Sequence, residues 1–367
     1  MNVSRLLLVF VLLAAACGSE AQAVVTAPPP LPVTTTVVLP AEATTTTTTV
    51  TVDPVTLVFG GDVSLTHGLV DADPFADVAT VLQAADLSWV NLETAVAEES
   101  FGFALDKEYL FRSPPAAAGL LAAAGIDGVA LANNHSLDAG TAGLERTIEL
   151  LDQAGVKHAG AGMNSDQAYA PVVAQVGDTT VAVVSFSRVL PDSSWAATAG
   201  SAGLASAYHP FIERSAAAVA EAAEEAEVVV VMVHWGIELS ACPEQYQRDL
   251  AALWSEAGAD LIVGSHPHVL QGIEQIGGTW VMYSTGNLAF PSAYSEATTR
   301  SVLFEAAIIG DEISLMVRPV RLVDGRPTPA DEADRVSIIE SLNEASWSAS
   351  IGDGGLAVSA GGDSSCG

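Results

Sequence analysis

The chain reads as an α/β protein with a layered sandwich architecture, and three observations predict it. Hydrophobic, β-rich runs alternate with Ala-rich stretches of helical periodicity from Val55 onward. The order ends in antiparallel fashion, with Val302–Ile309 and Glu312–Pro319 joined by the turn Gly310-Asp311. Six of the apolar runs also stop at Asp, Glu, Asn or His, and in open α/β sheets ligands collect beyond the carboxyl ends of the strands.

Taken in order, Val55–Gly61 runs into Asp62, and Pro74–Ala85 has the apolar spacing of a helix. Leu87–Val90 leads to Asn91 and Glu93, Pro115–Ala124 reads as a helix, and Gly128–Ala132 leads to Asn133, Asn134 and His135. Thr141–Ala154 carries Leu144, Ile148 and Leu151 on one helical face, with Gly155 as its stop. Val181–Phe186 is a strand, Phe211–Ala226 a helix, Val228–Val233 a strand ending at His234, and Gln245–Ala257 a helix. Asp260–Val263 closes on Gly264-Ser265-His266-Pro267-His268, and Trp280–Tyr283 approaches Asn287. Ala333–Glu344 is a last amphipathic helix, and a Gly/Ser-rich tail follows from Ser348. The resulting organisation is an export signal over 1–17, a tether over 18–53, a domain over 54–347 and a tail over 348–367.

The N-terminal segment stands apart. Arg5 precedes the apolar run Leu6–Ala16, too short to span a bilayer and ending in small residues, the pattern of a signal peptide. Ala14-Ala15-Ala16-Cys17 looks like a bacterial lipobox, which predicts a lipid on Cys17 and a membrane-anchored, extracytoplasmic protein. Cleavage near Ala16 without a lipid is the alternative. Residues 20–53 are rich in Ala, Thr, Val and Pro, with Pro28-Pro29-Pro30 and Thr45–Thr49, and read as a tether without strand or helix periodicity. In an oxidising compartment Cys242 and Cys366 could pair.

Thirteen Lys and Arg face 44 Asp and Glu, a net charge of −31 at pH 7. That balance excludes nucleic acid as a partner, because binding it needs basic side chains at the phosphates. A polyanionic substrate would be repelled at long range, so attraction must come locally from bound cations.

The strand ends point to a shared polynuclear metal site. His266 and His268 flank Pro267, so a turn can aim both into one cavity with His234; alone, either would be read as a core histidine. Asp62 follows Gly60-Gly61 and serves either as a ligand or as a turn former. Glu93 is either a bridging carboxylate or a solvated loop acid. In Asn133-Asn134-His135, the amide of Asn134 suits metal and His135 suits acid chemistry. Asp138 is read first as the cap of the following helix and second as a partner of His135. The mixed N/O donor set leaves the divalent ion open among Mn, Zn and Fe.

Gly61-Asp62, Asn91-Leu92-Glu93, Ala132-Asn133-Asn134-His135 with Asp138 and Gly140, His234-Trp235-Gly236-Ile237-Glu238, Gly258-Ala259-Asp260 running into His266-Pro267-His268, and Tyr283-Ser284-Thr285-Gly286-Asn287 together resemble the CapA, or poly-gamma-glutamate synthesis/capsule-biosynthesis, family. That family is similar to calcineurin-like metallophosphoesterases, and the resemblance spans about Thr56 to Arg321. It implies a four-layer αββα sandwich with one or two divalent ions. By the same resemblance Asp62 and His268 would hold one ion, Glu93 would bridge, and Asn134, His234 and His266 would hold the second. His135 would be the general acid, and Arg112 would clamp an anionic group. Ser64 stands where the phosphoesterase pattern has a histidine, and Ser265 replaces a common family histidine. His67 stands where many members carry arginine, either as a substitute ligand or in contact with substrate. The implied partners are a poly-gamma-glutamate or other capsule polymer and a capsule-synthesis complex. Two other functions stay open, a surface metallophosphodiesterase or nucleotidase and a non-catalytic polymer-binding assembly subunit.

Overall fold

Alternation along the strands builds the layers. In the strand Val55–Val63, Leu57 and Phe59 point one way and Val58 the other; in Val228–His234, Val228, Val230 and Met232 point one way and Val229, Val231 and Val233 the other. Leu57, Phe59, Val228, Val230 and Met232 share one core between two sheets. Val58 packs on the opposite side with Leu82, Leu121, Leu144 and Leu151 of the helices Ala79–Ala84, Ala116–Ala123 and Gly140–Ala154. Val229, Val231 and Val233 pack with Val219, Ala222, Leu250 and Trp254 of the helices Ile212–Glu225 and Gln245–Glu256. Helices, sheet, sheet and helices therefore stack as a four-layer αββα sandwich, the form the family resemblance implies. The structure, a computed structural model, describes residues 34–38, 47–51, 53–71, 73–104, 106–291, 295–360 and 364–366.

The larger sheet has ten strands. Its parallel part runs Val55–Val63, Leu87–Leu92, Gly128–Ala130, Lys157–Ala159, and Arg300–Ile309 and Glu312–Val323 extend it antiparallel. The second sheet has six strands, with Thr179–Ser187, Val228–His234, Leu261–Ser265 and Thr279–Thr285 parallel at its centre. One segment links the sheets: Thr279–Thr285 belongs to the second, and after Gly286 the strand Asn287–Ala289 pairs with Val55–Val63 of the first. The crossover is so close that a Cβ on Gly61 would lie 1.8 Å from the Gly286 carbonyl oxygen, so that position requires glycine.

Four expectations need correction. The helix expected over Pro74–Ala85 is regular only over Ala79–Ala84, because residues 74–78 form turns and Val78 offers no capping side chain. The tail expected from Ser348 instead contributes strands Ala349–Ile351 and Leu356–Ser359, the latter pairing with Glu312–Val323; Ile351 and Ala357 join the core. Within the expected tether, Thr34–Val38 and Thr47–Thr51 pair antiparallel, as their β-branched Thr and Val favour. Asp138 does not cap the helix Gly140–Ala154, whose N-cap is Ala139 without a side-chain hydrogen bond. Cys17 and the apolar run before it lie outside the described residues, and among the described residues no helix is long and apolar enough to cross a membrane. Cys242 and Cys366 form a disulfide.

Candidate metal centre

Six of the predicted side chains meet at the carboxyl ends of the two parallel blocks. His234 continues the alternation of Val230 and Met232, so it faces between the sheets. Asp62 would by simple alternation share the face of Val58. A β-bulge prevents this: Phe59 pairs with Trp89 and Asp62 with Asn91, three steps against two, which re-aims Asp62 to the inter-sheet side. His266 and His268 follow the strand Leu261–Ser265 with φ of 99° and 57°. Backbone held in this sparsely populated region by residues other than glycine is costly and characteristic of functional sites.

Glu93 is the centre. It is fully buried, and its Oε1 lies 3.6 Å from His234 Nε2, 3.7 Å from His268 Nε2 and 3.8 Å from His135 Nε2. Neither Glu93 oxygen has a hydrogen-bond partner, and neither does the buried His266 Nδ1. Two donor groups share it: Glu93, His234 and His266 form one, and Asp62, Glu93 and His268 the other, each with ligand atoms within 4.8 Å of one another. Asn134 Oδ1 sits 2.7 Å from His234 Nε2, beside the first group.

Burial and the adjacent Asp62 carboxylate push the Glu93 pKa well up. Desolvation holds His266 down at about 3, and it drives His234 well below the ordinary imidazole range, so both are neutral. His268 is desolvated too, but Glu93 and Asp62 outweigh that and push it up to about 10. Two buried carboxylates that share one raised imidazole, His268, and leave both Glu93 oxygens without a hydrogen bond form a costly arrangement that a divalent cation would relieve. The donor set fits divalent ions, with Glu93 available to both groups.

A surrounding ring orients these donors. Asn91 donates to Asp62 Oδ1 at 2.8 Å and lies 3.2 Å from His234 Nδ1, which is 3.0 Å from Ser265 Oγ. Asn133 donates to Asn91 Oδ1 and to the Leu92 carbonyl, tying two strand ends together. Asn287 Oδ1 is 2.8 Å from His268 Nδ1. Such partners fix the tautomer and direction of ligating rings.

His135 stacks on Phe111 at 4.2 Å, and its Nδ1 is 2.7 Å from Asp138 Oδ2. Lys107 forms an ion pair with Asp138 Oδ1 at 2.6 Å and donates to the Asn134 carbonyl at 2.5 Å. With Asp138 an acceptor toward Lys107 and the Phe111 N–H, His135 Nδ1 carries the proton and Nε2 faces the cluster. A cavity of about 140 Å³ opens over the cluster, lined by Tyr109, Phe111, His135, Glu238, His268 and Phe290.

Arg112 and His67 are placed elsewhere. Both line a second cavity of about 410 Å³ with Glu98 and Glu99. Arg112 donates to the Gly102 carbonyl and stacks over Phe103. Ser64 turns to Thr66 and adds no donor to the cluster. Lys107, Asn91 and Ser265 are functional contacts that strand-end patterning did not assign. Asn91 alone carries a signal, as the residue at which the apolar run Leu87–Val90 stops.

Fold and cluster together define an αββα sandwich protein with a candidate dinuclear metal centre at its strand ends. Residues 56–292 match the family described as bacterial capsule synthesis protein PGA_cap, and the chain belongs to that family. It is 29% identical over 277 residues to the PGA biosynthesis protein CapA of Bacillus subtilis (strain 168), covering 74% of this chain and 71% of that protein. It is 30% identical over 211 residues to the capsule biosynthesis protein CapA of Bacillus anthracis, covering 57% and 51%. Among solved structures, a phosphatase from Mycoplasma pneumoniae aligns at TM-score 0.47 and 12% identity, over 76% of this chain and 95% of that one.

Proposed function

We propose that this chain is a lipid-anchored, extracytoplasmic protein that acts in synthesis, anchoring or processing of poly-gamma-glutamate or a related capsule polymer, through a metal-assisted hydrolase or transferase site. The observation that carries the catalytic part is Glu93, buried with both oxygens unpaired where two donor groups meet. Membership of the capsule-synthesis family and the names of the Bacillus relatives support the substrate class. The lipobox-like Cys17 and the Cys242–Cys366 disulfide support an oxidising, exported setting.

Divalent ions held by Asp62, Glu93, Asn134, His234, His266 and His268 would polarise the scissile group and stabilise the negative charge that develops on it. Of these ions, Mn, Zn and Fe suit the mixed donors. The chain's own part is positioning and proton transfer. Asp138 holds the His135 ring by Nδ1–H and Lys107 holds Asp138, which leaves His135 Nε2 free to take a proton from the attacking group and pass it on to the departing atom. Phe111 and Phe290 wall the cavity with apolar surface that strengthens these interactions.

The test is elemental analysis of the purified full chain with Asp62→Ala and His266→Ala. Both variants lose metal while keeping the fold, and unchanged metal content overturns the proposal. Release of glutamate from the polymer, compared with turnover of a phosphodiester in added manganese, separates the capsule reading from a phosphoesterase. A second reading, polymer binding without turnover, is favoured by Ser64, which leaves the Asp62 group without a further ligand. Binding that persists in His135→Ala, with no turnover by the wild type, would establish it.

A further inference from the structure

Arg188 is a cation without a counter-charge in a chain whose net charge is −31. Other arginines hold carboxylates: Arg146 pairs with Glu98, Arg248 with Glu274 and Arg318 with Glu305. Among the described residues no carboxylate forms an ion pair with Arg188. Its guanidinium lies between two aromatic faces, 3.9 Å from the Tyr208 ring centroid and 4.8 Å from that of Tyr246, and its Nε is buried with no hydrogen-bond partner. Stacking fixes the plane of the fork and leaves its buried Nε–H without a partner, and an oxyanion is the ligand such a fork matches.

Its place in the fold ties it to the metal centre. Arg188 follows the strand Thr179–Ser187, in which Ser187 is the register partner of His234, and the Arg188 N–H donates to the His234 carbonyl at 2.8 Å. Val184 and Phe186 face the outer helices, and Arg188 continues that alternation, so it stands across the strand edge from the ligand cluster. Tyr246 is fixed in turn: its hydroxyl accepts from the Gly236 N–H at 2.6 Å, two residues beyond His234. Glu244, close to Tyr246, is occupied in capping the helix Gln245–Glu256. Tyr208 is exposed and lines a cavity of about 380 Å³, so one of the two clamping rings borders open space.

We propose that Arg188, clamped by Tyr208 and Tyr246, forms an oxyanion-binding subsite beside the metal centre that takes a free carboxylate of the polymer unit next to the one being processed. The inference rests on the polymer reading for the identity of its ligand, and on Arg188 and its surroundings for the site itself. It gives an acidic protein a local attraction for an acidic chain through a fixed, partly desolvated cation.

The experiment titrates the full chain, Arg188→Gln, Arg188→Lys and Tyr208→Leu with short poly-gamma-glutamate oligomers, glutarate and inorganic phosphate, with metal content measured in each. The expected result is oligomer binding by the wild type, about tenfold or more weaker in Arg188→Gln, with metal content unchanged. Arg188→Lys restores it only in part, because an ammonium keeps the charge without the planar fork. If Arg188→Gln does not fold, Tyr208→Leu carries the test and weakens binding several-fold. Equal binding of every anion by wild type, Arg188→Gln and Tyr208→Leu overturns the subsite. Arg188-dependent binding of phosphate with no response to oligomers upholds the anion subsite and overturns the polymer assignment.

Discussion

Two buried glutamates in the sandwich have opposite surroundings. Glu274 accepts from Arg248 Nε at 3.2 Å, Arg248 Nη2 at 2.8 Å and the Tyr283 hydroxyl at 2.7 Å, so its charge is met by the protein itself. Glu93 has no donor on either oxygen and is surrounded by imidazole nitrogens and a second carboxylate. Burial alone therefore does not mark function here; what distinguishes Glu93 is that no hydrogen-bond donor of the described chain meets its oxygens.

Glu93→Gln should lower divalent-ion affinity by about 100-fold or more, since it removes the one ligand common to both donor groups; elemental analysis and calorimetric titration measure this. Glu274→Gln should leave metal content as it is, and loss of metal there would erase the contrast. Next in size, Asp138→Asn should retain metal yet lower turnover by about 100-fold and displace the pH profile, because His135 loses its Nδ1–H acceptor.

Stability of the metal-free chain should move in opposite directions for the two glutamates. Glu274→Gln should cost about 1–2 kcal/mol by weakening a charge-assisted pair, whereas Glu93→Gln should gain about 1–3 kcal/mol by removing a desolvated carboxylate. Because the folded-state pKa of Glu93 is raised, its contribution is fully present below the ordinary carboxylate pKa and is lost as pH rises through the raised one. The gap between wild type and Glu93→Gln should thus widen with rising pH; melting curves from about pH 5 to about pH 8 show whether it does. The smallest effect is proton release. His268, pushed up to about 10, must lose its proton to act as a ligand, so ion uptake should acidify the medium and strengthen as pH rises. Titration in buffers of different ionisation heat counts the protons.

Legibility in the sequence followed contact range. Strand runs ending in ligand-type residues are local signals, and the structure brings Asp62, Glu93, Asn134, His234, His266 and His268 together around one point. The bulge that re-aims Asp62 has no local signature beyond Gly60-Gly61. Asp138 reads first as a helix cap because Asp before a helix is a common one; the structure realises the second reading, His135 Nδ1 at 2.7 Å, and adds Lys107 and the Phe111 N–H from a preceding loop. Arg112 had the right chemistry for an anion clamp, yet the fold turns it to another cavity. Arg188 has the same chemistry and no motif, and its tyrosines come from separate elements. The strands after Ser348 were obscured by the Gly and Ser around Leu356–Ser359, which pairs with a long neighbour already in place.

The Cys242–Cys366 bond joins partners 124 residues apart. Cys242 sits in the same connection as Glu238, which borders the opening over the cluster. The bond ties that rim to the segment around Cys366, so reduction would leave the entrance held by non-covalent contacts alone.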